Sequence, residues 1–156
     1  TSVSQRRVQR PHRDTYRSRL HKGFWCPPRL RDRDAGIIEE ANDWYFAMLH
    51  DSQRNDYFWK SLGARVEGKH VLDVGAGCGL LSLMAAKLGA SKVTAIEASK
   101  DMAGLARHNA KCNGFGDRIR VVHGHSSDVS LDEGDLADVV VSETLGTLLL
   151  GEGAVA

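Results

Sequence analysis

Two rhythms of apolar residues divide the 156-residue chain. Between residues 37 and 62, Ile37, Ile38, Ala41, Tyr45, Met48 and Leu49 recur at helical spacing, which predicts a helix. Val71–Val74 is a short apolar-rich run and predicts a buried strand. Residues 80–89 predict a helix with Leu80, Leu81, Met84 and Leu88 on one face. Val93–Ile96 predicts a second strand. Lys100–Cys112 predicts another helix, closed by Asn113-Gly114 as a C-terminal signal. Ile119–Val122 and Val139–Ser142 predict two more strands. Strands alternating with helices give an α/β fold, a parallel sheet with right-handed crossovers. A sheet of this kind ordinarily continues past its fourth strand, and Leu148-Leu-Leu150 calls for cover, so the sheet is expected to be truncated in this chain.

Composition adds one feature that the pattern does not show. The net charge is only +1, but residues 1–34 carry nine Arg and one Lys against three Asp. The remainder carries 11 basic and 17 acidic residues, so a basic arm precedes an acidic body. The expected organisation is an N-terminal arm over 1–36, partly disordered, and one α/β domain over 37–156. Pro27-Pro28 and Asp34-Ala-Gly36 mark the end of the arm. The arm reads either as a solvated tail, as a docking segment for RNA or an acidic protein, or as the remainder of an organelle-targeting region. Cys26, Cys78 and Cys112 are odd in number and lack C-x-x-C spacing, which suits a reducing compartment rather than a disulfide framework. A cytoplasmic or nuclear location is expected, with a mitochondrial one as the alternative. No apolar run approaches the length of a membrane span.

The chemistry gathers around Val71-Leu-Asp-Val-Gly-Ala-Gly-Cys-Gly79. A strand carrying Asp73 runs into three glycines, and Glu97 closes the next strand 22 positions after Gly75. That is how an α/β sheet receives an adenosine cofactor: glycines let it approach the backbone, and the acid takes the ribose hydroxyls. A dinucleotide fingerprint would be G-x-G-x-x-G, yet the position five after Gly75 is Leu80. The loop reads G-x-G-x-G through Gly75, Gly77 and Gly79, which suits S-adenosylmethionine, a cofactor with no pyrophosphate.

Farther on, Glu143 and Glu152 flank a loop of uncharged residues. They are either two exposed loop glutamates or a clamp for a guanidinium, whose fork of N–H donors carboxylates match bidentately. His123-Gly-His125 places two imidazoles at a strand end, read as strand-end or cofactor-pocket histidines rather than metal ligands.

Together these residues resemble the protein arginine N-methyltransferases. Met48-Leu-His-Asp-Ser-Gln-Arg54 is similar to that family's M-L-x-D-x-x-R helix, and Ser142-Glu143 to Glu152 is similar to its double-glutamate loop. Leu150-Gly-Glu-Gly-Ala154 and His125-Ser-Ser-Asp-Val129 are nearest to the tandem-repeat members. The resemblance covers about residues 42–156 and implies a Rossmann-like class I methyltransferase sheet using S-adenosylmethionine. It implies that Arg54 pairs with the cofactor carboxylate, that Asp73, Gly75, Gly77 and Gly79 line its methionine part, and that Glu97 accepts from both ribose hydroxyls. Ser126 and Ser127, with Asp128 beside them, would edge the adenine, although many members carry a glutamate at the Ser127 position. Glu143 and Glu152 would be the catalytic clamp on an arginine-containing protein substrate. Met48 lies either beside the reacting centre or in the core. The family's Y-F-x-x-Y motif is not recognisable; Trp44-Tyr45-Phe46 either replaces that lid, with Tyr45 at the substrate pocket, or packs in the core. The family's C-terminal β-barrel with its Thr-His-Trp loop is not in this chain, and members often work as dimers or tandem pseudo-dimers. The expected activity is methyl transfer to protein arginines. Two alternatives remain: a non-catalytic methyltransferase-like subunit of a larger assembly, organellar and RNA-containing in one version, and a small-molecule methyltransferase, against which the glutamate pair speaks.

Overall fold

The computed structural model describes residues 43–144. The N-terminal arm, Ile37, Ile38, Ala41 and Glu152 therefore lie outside the described residues. Two helices, α1 (Asp43–His50) and α2 (Ser52–Gly63), precede a sheet of four strands. These are β1 (His70–Val74), β2 (Lys92–Glu97), β3 (Ile119–His123) and β4 (Val139–Ser142), with α3 (Leu80–Lys87) after β1 and α4 (Lys100–Cys112) after β2. Short 3-10 turns at Ser126–Asp128 and Glu133–Asp135 lead from β3 to β4.

All pairings are parallel, in the order β3-β2-β1-β4. From β1 the chain steps outward twice, through β2 to β3, and then returns to β4 on the other side of β1. The chain reverses direction across the sheet between β1 and β4. Open α/β sheets bind ligands beyond the carboxyl ends of the strands at such a reversal.

β1 and β2 sit inside the sheet, and their burial is nearly continuous: Val71 and Val93 are fully buried and face each other in register, as do Asp73 and Ala95. Burial on both faces is what an apolar-rich run in a parallel strand reflects. β4 is the outer strand beside β1, and its Val140 is 63% exposed.

Two expectations are corrected. The single helix expected over 37–62 is broken at Asp51. Its backbone is extended (φ −71°, ψ 98°), and its carboxylate accepts the Arg54 N–H at 3.0 Å. Asp51 is thus the N-cap of a new helix, satisfying a donor that the first turn cannot. The Asn55 side chain completes the joint by donating to the Leu49 carbonyl at 2.9 Å.

The buried face of α3 is the second correction. It is Leu81, Ser82, Ala85 and Ala86, whereas Met84 and Leu88 border the core and Leu80 is half-buried. Small side chains win this face because they let the helix axis approach the sheet closely. α4 repeats the device with Ala103, Ala106 and Ala110 beside Met102.

The amino ends of the strands are fastened separately. The His70 backbone N–H donates to Asp138 at 2.8 Å, and its ring bridges Thr94 Oγ1 (2.9 Å) and the Leu136 carbonyl (3.2 Å). Asp135 pairs with Lys92 and lies 3.6 Å from Arg120. Three strand starts and the turn before β4 are thereby tied together.

Replacing Asp51 with Ala should leave the fold intact and lower stability by about 0.5–2 kcal/mol, the usual worth of an N-cap carboxylate. Urea unfolding of Asp51→Ala and the parent chain checks this, with an unchanged m-value showing that only the cap was lost.

Candidate cofactor and acceptor site

The loop from Gly75 to Gly79 leaves the carboxyl end of β1 and enters α3. Gly75, Gly77 and Gly79 all have left-handed backbone, with φ of +73°, +55° and +88°. At each of the three a side chain would also meet a neighbour. A Cβ on Gly75 would stand 2.6 Å from Thr144 Cγ2, which comes across from the end of β4. One on Gly79 would meet Ala106 Cβ at 3.3 Å and its Cα at 3.5 Å. The third glycine therefore lets α4 press against the start of α3.

The donors of this loop decide what it can hold. The N–H groups of Gly75 and Ala76 both donate to the Ile96 carbonyl, at 2.9 and 3.0 Å. Gly77 N–H donates to Glu97 Oε2 at 2.7 Å, and Cys78 N–H to the Tyr45 hydroxyl at 2.7 Å. Gly79 N–H turns back to the Ala76 carbonyl at 2.8 Å. Every amide from 75 to 79 thus has a protein acceptor. A phosphate cradle needs such amides pointing at the ligand. This loop has none to offer, which excludes a pyrophosphate seated on it and leaves a phosphate-free nucleoside as the fitting cofactor class.

Glu97 ends β2 with its other oxygen, Oε1, accepting Ser99 N–H at 2.8 Å. The two amides fix the carboxylate beside the loop while each oxygen keeps a further lone pair. A rigid carboxylate of this kind suits vicinal hydroxyls. Ser126, Ser127 and Asp128 form the 3-10 turn just past the β3 end and are exposed. Ser127 Oγ lies 2.8 Å from His125 Nδ1 and 3.1 Å from Asp128 Oδ1. All these groups lie at the carboxyl edge of the sheet.

Asp73 is different. It is 1% exposed, and its Oδ2 accepts the Ser82 hydroxyl at 2.6 Å while Oδ1 has no partner among the described residues. Burial pushes its pKa up to about 6, against the pull of the Ser82 hydrogen bond. Asp73 and Ser82 clasp the two ends of the glycine loop from inside.

Tyr45 and Met48 lie half-buried on α1. The Tyr45 hydroxyl sits 2.6 Å from where a Gly77 Cβ would be, so the ring covers the loop. Burial, together with the Cys78 side chain, pushes that hydroxyl above its ordinary range, against the pull of the Cys78 N–H. Phe46, next to it, is 52% exposed.

Arg54 and Glu143 meet across 89 positions of sequence. Arg54 Nε donates to Glu143 Oε1 at 2.7 Å, and Nη2 donates to Oε2, a bidentate fork. Arg54 Nη1 donates to Asn55 Oδ1 at 3.0 Å, and its guanidinium lies 5.0 Å from the Phe58 ring centroid. The groups that sequence reasoning missed are those that brace: Ser82, Asn55, Phe58, and Asn109, whose side chain donates to the Cys78 carbonyl at 2.9 Å. Ser82 and Asn109 act on residues brought near by the fold, which no local signal marks, whereas Asn55 and Phe58 are neighbours of Arg54 on α2 itself.

With this geometry in view, the chain can be set beside known proteins. Residues 60–151 match the family model described as ribosomal protein L11 methyltransferase (PrmA). The protein arginine N-methyltransferase 7 of Gallus gallus is 42% identical over 135 residues, 79% of this chain and 20% of that protein. The chain belongs to the protein arginine N-methyltransferase family. The PrmA match begins at residue 60 and so covers the sheet but not Arg54, marking the methyltransferase α/β half rather than the substrate. Among solved structures, the PRMT1 enzyme–prozyme heterotetrameric complex of Trypanosoma brucei with AdoHcy is similar, with a TM-score of 0.64 at 37% identity over 70% of this chain and 35% of that one. The arginine methyltransferase 10 of Arabidopsis thaliana gives a TM-score of 0.64 at 38% identity over 72% of this chain and 32% of its own. The chain spans about a fifth of the length of the curated relatives it matches.

Because the folded chain holds the Asp73 proton up to about pH 6 and the unfolded chain only to its ordinary 3.8, Asp73 favours folding when protonated. Relative to Asp73→Asn, the parent chain should lose stability as pH rises from about 4 to about 6, by on the order of 2–3 kcal/mol. Thermal melts of both proteins across that pH range measure the difference; parallel curves would rule the assignment out.

Proposed function

We propose that this chain is the cofactor-binding half of an S-adenosylmethionine-dependent methyltransferase acting on arginine side chains of proteins. The carrying observation is the bidentate fork between Arg54 and Glu143: the Glu143 carboxylate already accepts a guanidinium through both oxygens. An acceptor arginine presents the same group. Membership of the family, and neighbours such as the trypanosome complex with AdoHcy, support the reading.

When bound, S-adenosylmethionine supplies an electrophilic methyl group on a sulfonium. The chain's own residues do the rest. Glu97 holds the ribose hydroxyls, and Ser126, Ser127 and Asp128 edge the base. Arg54 offers its fork to the cofactor carboxylate. Gly75, Gly77 and Gly79 set the wall along the methionine part, with Asp73 buried behind them, and Tyr45 and Met48 cover the reacting centre from α1. Glu143 orients one guanidinium nitrogen and stabilises its charge, with Glu152 as the expected second carboxylate. Positioning and fixed charge carry the rate in such a transfer. The presence of Arg54, Glu97 and Glu143 together supports an enzyme over a non-catalytic subunit. A heterotetrameric neighbour supports work as an oligomer.

Two measurements test this. S-adenosylhomocysteine at a hundred times its Kd should stabilise the chain by roughly 2.7 kcal/mol in thermal unfolding. Glu143→Gln should bind the cofactor yet cut methyl transfer to an arginine-rich peptide by about 100-fold or more, the usual cost of losing a charged transition-state contact. Normal transfer by Glu143→Gln would remove the clamp from the mechanism.

A further inference from the structure

α4 turns one face away from the sheet. Ala103, Ala106 and Ala110 are buried, while Lys100, Gly104, Arg107 and Lys111 are exposed. Their spacing of four, three and four residues sets them on one ridge of the helix. At 1.5 Å per residue the ridge is about 16 Å long. His108 flanks it, and Asp101 at its margin is half-buried. Arg107 is braced, its Nη2 donating to the Val121 carbonyl at 3.1 Å. Lys111 lays its stem along Gly116, where a Cβ would stand 3.1 Å from Cγ. Among the described residues no carboxylate forms an ion pair with Lys100, Arg107 or Lys111. Beyond residue 34 the chain carries 11 basic and 17 acidic residues, so the ridge reverses the charge of the body around it.

Gly104 sits in the middle of that ridge. Its backbone is not left-handed, and a Cβ there would meet nothing within 4 Å. Glycine inside an exposed helix weakens it relative to alanine. Nothing in the described fold asks for that loss. A stretch of bare backbone between cations is what lets another chain lie close against the helix.

We propose that the outward ridge of α4 binds the sugar–phosphate backbone of duplex RNA. This stands apart from the methyltransferase reading above. The ridge carries no aromatic or aliphatic side chain, so it lacks the apolar centre of a protein–protein interface, where lysine is scarce. Nucleic-acid interfaces are polar and strongly positive. Single strands need aromatic platforms for their bases, and the ridge has none. α4 also lies against its own sheet and presents only a shallow convex face. Such a face does not reach the floor of a DNA major groove about 8.5 Å deep. The wide, shallow minor groove of an A-form duplex brings its phosphates and ribose hydroxyls out to it. Lys100, Arg107 and Lys111 pair with phosphates, and Gly104 admits a ribose between them. Contacts of this kind position a duplex without reading its sequence.

Fluorescence anisotropy of the full chain with a fluorescein-labelled RNA duplex of mixed sequence, over a series of salt concentrations, tests this. The N-terminal arm is present throughout, so its charge is a constant background. Replacing both lysines, Lys100→Gln with Lys111→Gln, should weaken binding about tenfold or more and make the slope of log K against log salt shallower by about two. Gly104→Ala should melt at a higher temperature than the parent chain yet bind the RNA about threefold or more weakly, a pairing of signs that damage to the fold cannot give. No binding by the parent chain at low salt overturns the proposal. So does a double variant with the parent's affinity and slope, because the arm then carries the RNA, and so does Gly104→Ala with undiminished affinity. A DNA duplex of the same sequence bound equally tightly, or polyglutamate displacing the RNA at equal charge, overturns duplex RNA as the partner.

Discussion

Glu97 holds this site together. Its carboxylate stands at the end of an inner strand and accepts two backbone amides, one from the glycine loop and one from the turn that starts α4. Two charge-assisted hydrogen bonds to N–H groups are worth more than neutral ones. They oblige Gly77 to point its amide inward, which in turn requires the left-handed backbone found there. With Gly77 fixed, Cys78 presents its own amide to Tyr45, and α1 is drawn over the loop. A single side chain thereby sets the loop, the neighbouring helix start and the cover.

The loop that results is self-sufficient. Its five amides are consumed by Ile96, Glu97, Tyr45 and Ala76, so it presents shape to a ligand rather than donors. Recognition must come from side chains delivered by other elements: Arg54 from α2, Glu97 from β2, the serines after β3, Glu143 after β4. This division explains why glycine spacing alone points to a nucleoside without phosphates. It also places the glutamate proposed to select an acceptor after β4, and the groups proposed to grip the nucleoside on β2 and after β3.

Much of this could be read from the chain. Buried parallel strands show themselves as apolar runs, and all four appeared within a residue or two of their true ends. The glycine loop and Glu97 are close in sequence and recur at fixed offsets, so their meeting was legible. The break at Asp51 was not, because aspartate in a helical stretch reads equally as a surface residue, and only the extended backbone reveals the cap. The α3 face was misread because leucines outrank alanines in any hydrophobic pattern, whereas close packing on a sheet rewards the smaller side chain. Arg54 meeting Glu143, and Ser82 meeting Asp73, depend on the folded path and have no local spacing to announce them.

The fastening at the opposite edge has its own consequence. His70, Lys92, Asp135 and Asp138 secure the strand starts, about 16 Å along a five-residue strand from the ligand loops. Stability and chemistry are thus housed at different poles of the sheet. Selection can rewrite the carboxyl-end loops for a new acceptor without loosening the scaffold, and the amino-end network can drift or strengthen without touching turnover. A designer who wished to redirect this chain would have a natural line along which to cut.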